Sequence, residues 1–258
     1  MSQAATNVPN SPTDKGLRVE AHAERLNNLV DKKPAELDRE TGLMLFRDMT
    51  LGRRFEDKCA EMYYRGKMFG FVHLYNGQEA VSSGVIGAMK LKHDWFCSTY
   101  RDHVHALSAG VPAREVMSEL FGKETGCSKG RGGSMHLFDA SRNFMGGHAI
   151  VGGQLPVSAG LALAQKYKKT DGITVCFFGD GATNQGVYHE TLNLASIWKL
   201  PILFILENNG YGMGSSIERV RAGGVDFFPG VSTYDIESTE VDGMDVLAVV
   251  ESVSNAID

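Results

Sequence analysis

The sequence predicts an α/β fold, a parallel sheet flanked by helices, and three stretches carry that expectation. Residues 173–178 (ITVCFF) form an apolar run of strand length, rich in β-branched and aromatic residues, and Gly179-Asp180-Gly181 closes it. Residues 185–198 have helical length, with Val187, Leu192, Leu194, Ala195, Ile197 and Trp198 falling in part on one face. Pro201 restarts the chain, and residues 202–206 (ILFIL) read as a second buried strand. A strand, helix, strand succession of this length is a parallel βαβ unit with a right-handed crossover, so both strands finish on the same sheet edge.

The remaining elements follow in order. Residues 1–40 read as an N-terminal extension: 1–16 are polar, 17–30 can form a helix, and Lys32-Lys33-Pro34 breaks it. One α/β domain is expected over 41–258. Asp38 or Thr41 caps a helix running to Arg65, with Gly66 as its C-cap. On that helix Phe46, Met49, Phe55, Cys59, Met62 and Tyr63 suit a buried stripe, and Arg53, Arg54, Asp57 and Lys58 suit a solvated face. Residues 67–79 (KMFGFVHLYNGQE) read as an irregular aromatic loop before a helix over 80–89. Residues 95–99 (WFCST) make a short strand. A helix over 112–121 has Pro112 at its start. Residues 122–133 form a Gly-rich basic loop, and 146–154 (GGHAIVGGQ) a second Gly-rich turn. Pro156 opens a helix over 157–168, whose Ser158, Ala159, Gly160, Ala162 and Ala164 permit close packing against another helix. Residues 246–257 form the last helix.

Composition narrows the function classes. The 258 residues are 43% hydrophobic with a net charge of −5, so a sizeable core is available and no general nucleic-acid affinity is implied. Apolar runs are strand-sized, so no membrane span is expected. Cys59, Cys97, Cys127 and Cys176 show no C-x-x-C spacing and read as reduced thiols of an intracellular protein. The N-terminus has no apolar secretory core.

The chemistry concentrates at two strand ends. Asp180 and Asn209 stand 29 positions apart, just past strands that should be neighbours. Ligands of open α/β sheets bind outside such carboxyl ends. A carboxylate, an amide carbonyl and a nearby backbone carbonyl form a hard oxygen set that suits Mg²⁺ with phosphate oxygens. Gly179 and Gly181 let a diphosphate approach the backbone, and the following helix points its N-terminus there. Elsewhere, Tyr100 and Arg101 end a strand, where a guanidinium fork can hold an anion; a surface pair between Arg101 and Asp102 is the alternative. His73 either faces a pocket or packs structurally. His103 and His105 are further candidates, and either can simply satisfy a backbone carbonyl.

Taken together, GDGATNQG, WKLP and ENNGYGMG, with FVHLYNGQEAV, TYRDH and GGSMH upstream, resemble the alpha subunits of thiamine-diphosphate-dependent pyruvate dehydrogenases. The resemblance covers most of 41–219 and again 241–250. It departs at His148-Ala149, where Asn-Gly is frequent, and over 220–240, where Gly223-Gly224 and Phe227-Phe228-Pro229 do not fit. It implies the thiamine-diphosphate-binding fold. It implies that Asp180, Asn209 and Tyr211 hold Mg²⁺, and that Tyr100, Arg101, Ala149, Val151, Asp180, Gly181, Ala182, Asn209 and Tyr211 meet thiamine diphosphate. His73 would line the catalytic pocket, and GGSMH would lie near the active-site channel.

The same resemblance implies an oxidative decarboxylation of pyruvate with the acetyl group passed to lipoamide. It implies a beta subunit that supplies an activating Glu in an α₂β₂ heterotetramer, bound to a dihydrolipoyl acetyltransferase core. Acetoin and branched-chain 2-oxoacid dehydrogenase alpha subunits are the enzymatic alternatives. Family chains continue past the point matching Asp258 into a closing loop with His and Ser, so the sequence is expected to lack its C-terminal part. A non-catalytic scaffold is the alternative of another class. A bacterial cytoplasm is the expected location, with plastid stroma or mitochondrial matrix as alternatives.

Overall fold

The computed structural model describes residues 39–222 and 227–257. The helix expected at 17–30, its break at Lys32-Lys33-Pro34, the Asp38 cap and Gly223-Gly224 lie outside the described residues. Four parallel strands form one sheet: β1 (Trp95–Thr99), β2 (Phe144–His148), β3 (Thr174–Gly179) and β4 (Ile202–Glu207), in the order β2-β1-β3-β4. The chain steps outward from β1 to β2, then crosses back over β1 to β3 through helix α5 (Gln154–Lys168). It reaches β4 through α6 (Gly186–Ile197). The strand order therefore reverses between β1 and β3, and in doubly wound folds that switch point opens a crevice at the carboxyl edge.

Alternation along the strands explains why helices cover both faces. Val175 and Phe177 of β3, with Leu203 and Ile205 of β4, pack into one cluster. That cluster takes in Leu45, Phe55 and Cys59 of α1 (Arg39–Tyr64), Val85 and Ile86 of α2 (Glu79–Ala88), and Val249, Val250 and Val253 of α9 (Val246–Ile257). It also includes Ala106 and Leu107 of α3 (His103–Ser108) and Val116 and Leu120 of α4 (Ala113–Leu120). Cys176 and Phe178 face the opposite way, onto Leu155, Tyr188 and Leu192 of α5 and α6. Phe96 stacks on Phe144 across β1 and β2 at 4.7 Å. Each such buried ring contributes roughly 2–3 kcal/mol. Of the small residues expected to pack against another helix, Ala159 and Ala162 of α5 meet Ala195 of α6, while Gly160 is exposed. Two short helices, α7 (Ile217–Val220) and α8 (Phe228–Ser232), and the hairpin β5 (Tyr211–Gly212) and β6 (Ser215–Ser216) complete the described chain.

Several expectations need correction. The turn expected over 146–154 begins as strand: Gly146, Gly147 and His148 belong to β2, because glycine lets that strand run against Asp102. A Cβ at Gly147 would sit 1.8 Å from Asp102 Oδ2. The helix placed at 157 starts at Gln154, with Pro156 in its first turn, where no backbone N–H is needed. Strand 202–206 is half-buried rather than buried, since β4 is the last strand of the described sheet. Phe46 and Tyr63 of the α1 stripe are exposed, and Leu45 takes the inward place. Gly66 has φ +66° and donates to the Tyr63 carbonyl, the C-cap geometry expected of it. The four cysteines are free thiols. Among the described residues no helix is long and apolar enough to cross a membrane.

Candidate active site

All four parallel strands end on one edge, and each is followed within two residues by a residue singled out from the sequence. Ala149 follows β2, Tyr100 and Arg101 follow β1, Asp180 follows β3, and Asn209 lies two residues past β4. The Tyr100–Arg101 pair and Asp180 flank the switch point between β1 and β3.

Asp180 is 2% exposed. Its Oδ1 accepts from the Gly181 N–H at 2.9 Å, while Oδ2 is buried and has no hydrogen-bond partner among the described residues. Burial pushes the carboxyl's pKa upward, against the pull of backbone N–H groups that include Gly210. The Gly210 contact brings the loop after β4 onto this carboxylate. Gly210 has φ +79°, which turns the chain so that Asn209 Oδ1 accepts the Tyr211 N–H at 3.2 Å. A Cβ on Gly181 would lie 3.8 Å from the Gly212 Cα, so β5 closes on the turn after β3. The loop that carries Asn209 and Tyr211 thus lies against the turn that carries Asp180. Ala182 is buried beneath them in the 3₁₀ turn Asp180–Asn184, and Thr183 ties that turn through its hydroxyl to the Asp180 carbonyl at 2.7 Å. A buried carboxylate oxygen without a hydrogen-bond partner, on a turn that meets a loop offering amide and carbonyl groups, fits a hard divalent cation, which supplies the charge that the oxygen lacks.

A second group forms at β1. The His73 and Tyr100 rings lie 4.5 Å apart, and the Arg101 guanidinium sits 5.6 Å from the Tyr100 ring centre. Arg101 Nη1 donates to the Leu74 carbonyl at 2.7 Å, leaving the rest of the fork for an anion. Burial and the Arg101 charge lower the His73 pKa, so the imidazole is neutral at pH 7. Ala149 and Val151 lie just past β2, which pairs directly with β1; the Val151 side chain is exposed, and a Cβ at the adjacent Gly152 would lie 3.3 Å from Val187 of α6.

The sequence profile of the dehydrogenase E1 component family matches residues 47–258. The chain belongs to that family. It is 54% identical over 223 residues to the pyruvate dehydrogenase E1 component subunit alpha of Porphyra purpurea, covering 84% of this chain and 64% of that one. It is 52% identical to the chloroplastic subunit alpha-3 of Arabidopsis thaliana, covering 86% of this chain and 53% of that one. The subunit alpha of Rickettsia prowazekii is 48% identical, over 84% of this chain and 66% of its own. The chain thus spans about half to two thirds of the length of these relatives.

In this dehydrogenase E1 chain, sequence reasoning missed the buried polar layer beneath the edge. Asp102 is not paired with Arg101 at the surface. It is fully buried, its Oδ2 accepts the Leu137 N–H at 2.9 Å, and burial raises its pKa to about 7. His103 satisfies more than a carbonyl. Its Nδ1 lies 2.9 Å from Glu56 Oε2, and its Nε2 2.7 Å from Ser134 Oγ of the GGSMH stretch. Glu119 gathers the Gly-rich loop, accepting from the N–H groups of Ser128, Gly130, Gly132 and Gly133 at 2.7–3.2 Å. The loop is therefore a structured turn around one carboxylate. Helical phase was the available signal for Glu56 and Glu119: Glu56 falls beside Phe55 and Cys59, and Glu119 beside Val116 and Leu120, all buried.

Proposed function

We propose that this chain is the alpha component of a thiamine-diphosphate-dependent pyruvate dehydrogenase, and that it carries the diphosphate and Mg²⁺ half of the active site. The observation that carries the reading is the buried Asp180 carboxylate, one oxygen of it without a hydrogen-bond partner among the described residues, at the strand end next to the one that carries the loop of Asn209 and Tyr211. The three curated relatives, each called a pyruvate dehydrogenase E1 subunit alpha, support pyruvate as the substrate.

In this reading Asp180, Asn209 and the Tyr211 carbonyl hold Mg²⁺, and Gly181 and Ala182 let the diphosphate lie against the backbone. Tyr100 and Arg101 hold its outer oxygens. Ala149 and Val151 offer backbone groups to the pyrimidine ring. The coenzyme supplies the electron sink for decarboxylation when bound. His73, neutral and half-buried against Tyr100, is placed to hold or move a proton beside it. A beta subunit completes the site within an α₂β₂ assembly, and the acetyl group leaves to lipoamide on a dihydrolipoyl acetyltransferase core. A bacterial cytoplasm or a plastid stroma suits the reading, given relatives from both.

The test is turnover of pyruvate, acetoin and 2-oxoisovalerate by the chain with and without its beta subunit. Pyruvate should be preferred, and only in the two-chain sample. Preference for acetoin or 2-oxoisovalerate overturns the substrate assignment, and robust decarboxylation by the chain alone overturns the two-chain site.

A further inference from the structure

Directly under the loop that carries Asn209 lies a closed polar cluster drawn from four elements. Glu207 is the last residue of β4, two positions before Asn209, and is 6% exposed. The Tyr75 hydroxyl donates to Glu207 Oε1. His105 Nε2 stands 3.4 Å from the same oxygen, and His105 Nδ1 bonds Ser98 Oγ of β1 at 2.7 Å. Tyr75, His105 and Ser98 have no exposed surface. The His105 ring is wedged between the Phe177 ring at 4.1 Å and the Tyr75 ring at 4.7 Å, so it has no freedom to turn away.

Tyr75 is also held from behind. Its backbone N–H donates to Glu56 Oε1 at 3.0 Å, and the preceding carbonyl, Leu74, accepts from Arg101. His73, one residue further back, packs on Tyr100. Three consecutive residues thus join the edge after β1 to the edge after β4. A buried carboxylate at a strand end retains its place only if its oxygens are bonded, and here Oε1 takes the Tyr75 hydroxyl while the His105 ring, packed on Tyr75, closes the other side at 3.4 Å without a hydrogen bond.

We infer that Tyr75 and His105 are positioning residues for the divalent cation: by fixing Glu207 at the tip of β4 they fix the turn that presents Asn209 and the Tyr211 carbonyl to Asp180. This rests on the cation site proposed above. The cation-binding residues of proteins are oriented by partners that do not touch the ion, and removal of such a partner weakens metal affinity about 10- to 100-fold.

The experiment is an electron paramagnetic resonance titration of Mn²⁺, read as loss of the free-ion signal, on the full chain assembled with its beta subunit and thiamine diphosphate. Tyr75→Phe removes one oxygen and keeps the ring. His105→Gln tests the second arm. Val253→Ala in α9, a core truncation away from the cluster, serves as the stability control. The Mn²⁺ dissociation constant should rise at least 10-fold in Tyr75→Phe and stay within 2-fold of the unsubstituted protein in Val253→Ala. The linewidth of the bound ion should broaden in Tyr75→Phe as its ligand geometry loosens. An unchanged constant in both Tyr75→Phe and His105→Gln overturns the positioning role while leaving the cation site in place. An equal loss in Val253→Ala overturns it too, since the effect is then general. Absence of coenzyme-dependent Mn²⁺ binding in the unsubstituted protein overturns the cation site itself.

Discussion

Replacing His103 by alanine tests whether the buried polar layer holds the active-site loops. His103 and Glu56 have no exposed surface and meet at 2.9 Å. Without the imidazole, the hydrogen bond that remains to the Glu56 carboxylate among the described residues is from the Tyr75 N–H at 3.0 Å. Breaking a buried pair by removing one partner costs about 3–5 kcal/mol, because the remaining charge is uncompensated. For a domain of this size each kcal/mol lowers Tm by about 2–4 °C, so the variant should melt roughly 6–20 °C lower. The assay is thermal denaturation followed by circular dichroism, on the His103→Ala, Glu56→Gln and double variants. The double should lose less than the sum of the singles. Burial opposes the imidazolium, yet Glu56 beside it raises the His103 pKa well above its usual value. For a group with a raised folded pKa, the stabilisation is complete below the unfolded value near pH 6.5 and is lost as pH rises through the folded value. The wild type should therefore lose the pair's stabilisation only at alkaline pH. A Tm change below about 2 °C, or strict additivity in the double variant, refutes the coupling.

Three further outcomes are expected. Glu119→Gln leaves one acceptor oxygen for four N–H donors and sets an amide against the others; about 3 kcal/mol should be lost locally, and trypsin should cut faster at the exposed Lys129 and Arg131. Asp102 carries a carboxyl that burial raises to about 7, so the folded state retains a proton that the unfolded chain releases; stability should fall as pH rises from about 4 to 7, and Asp102→Asn should flatten that slope in pH-dependent melts. Asp180→Asn removes a buried charge with an unpartnered oxygen, so in chelator its Tm should equal or exceed that of the wild type by the equivalent of about 1–2 kcal/mol, while added Mg²⁺ and thiamine diphosphate should no longer raise it.

Much of the fold was legible because its elements announce themselves locally. WFCST is strand from Trp95 to Thr99, and the final helix runs from Val246 to Ile257, both as read from the sequence. The βαβ unit at 173–206 brings Asp180 and Asn209 to adjacent strand ends, as its length required. What was hidden depends on partners distant in sequence. Strand β2 is glycine-rich and has no strand propensity of its own; its pairing with β1 and the room it leaves for Asp102 decide its conformation. Glu207 lies one residue past the run read as a strand, and Tyr75 lies within the stretch read as an irregular aromatic loop. Only the folded chain brings them together across 132 positions. Glu56 and Glu119 carry charge and are nevertheless interior, because each meets donors from other segments.

The most direct measurement is a crystal structure of the assembled enzyme grown with Mg²⁺ and thiamine diphosphate, in which the ion's ligands are read off. The account predicts one ion bonded to an Asp180 carboxylate oxygen, Asn209 Oδ1 and the Tyr211 carbonyl at about 2.1 Å, with diphosphate oxygens filling its octahedron. An ion held by other residues, with the Asp180 carboxylate out of its coordination sphere, would contradict it.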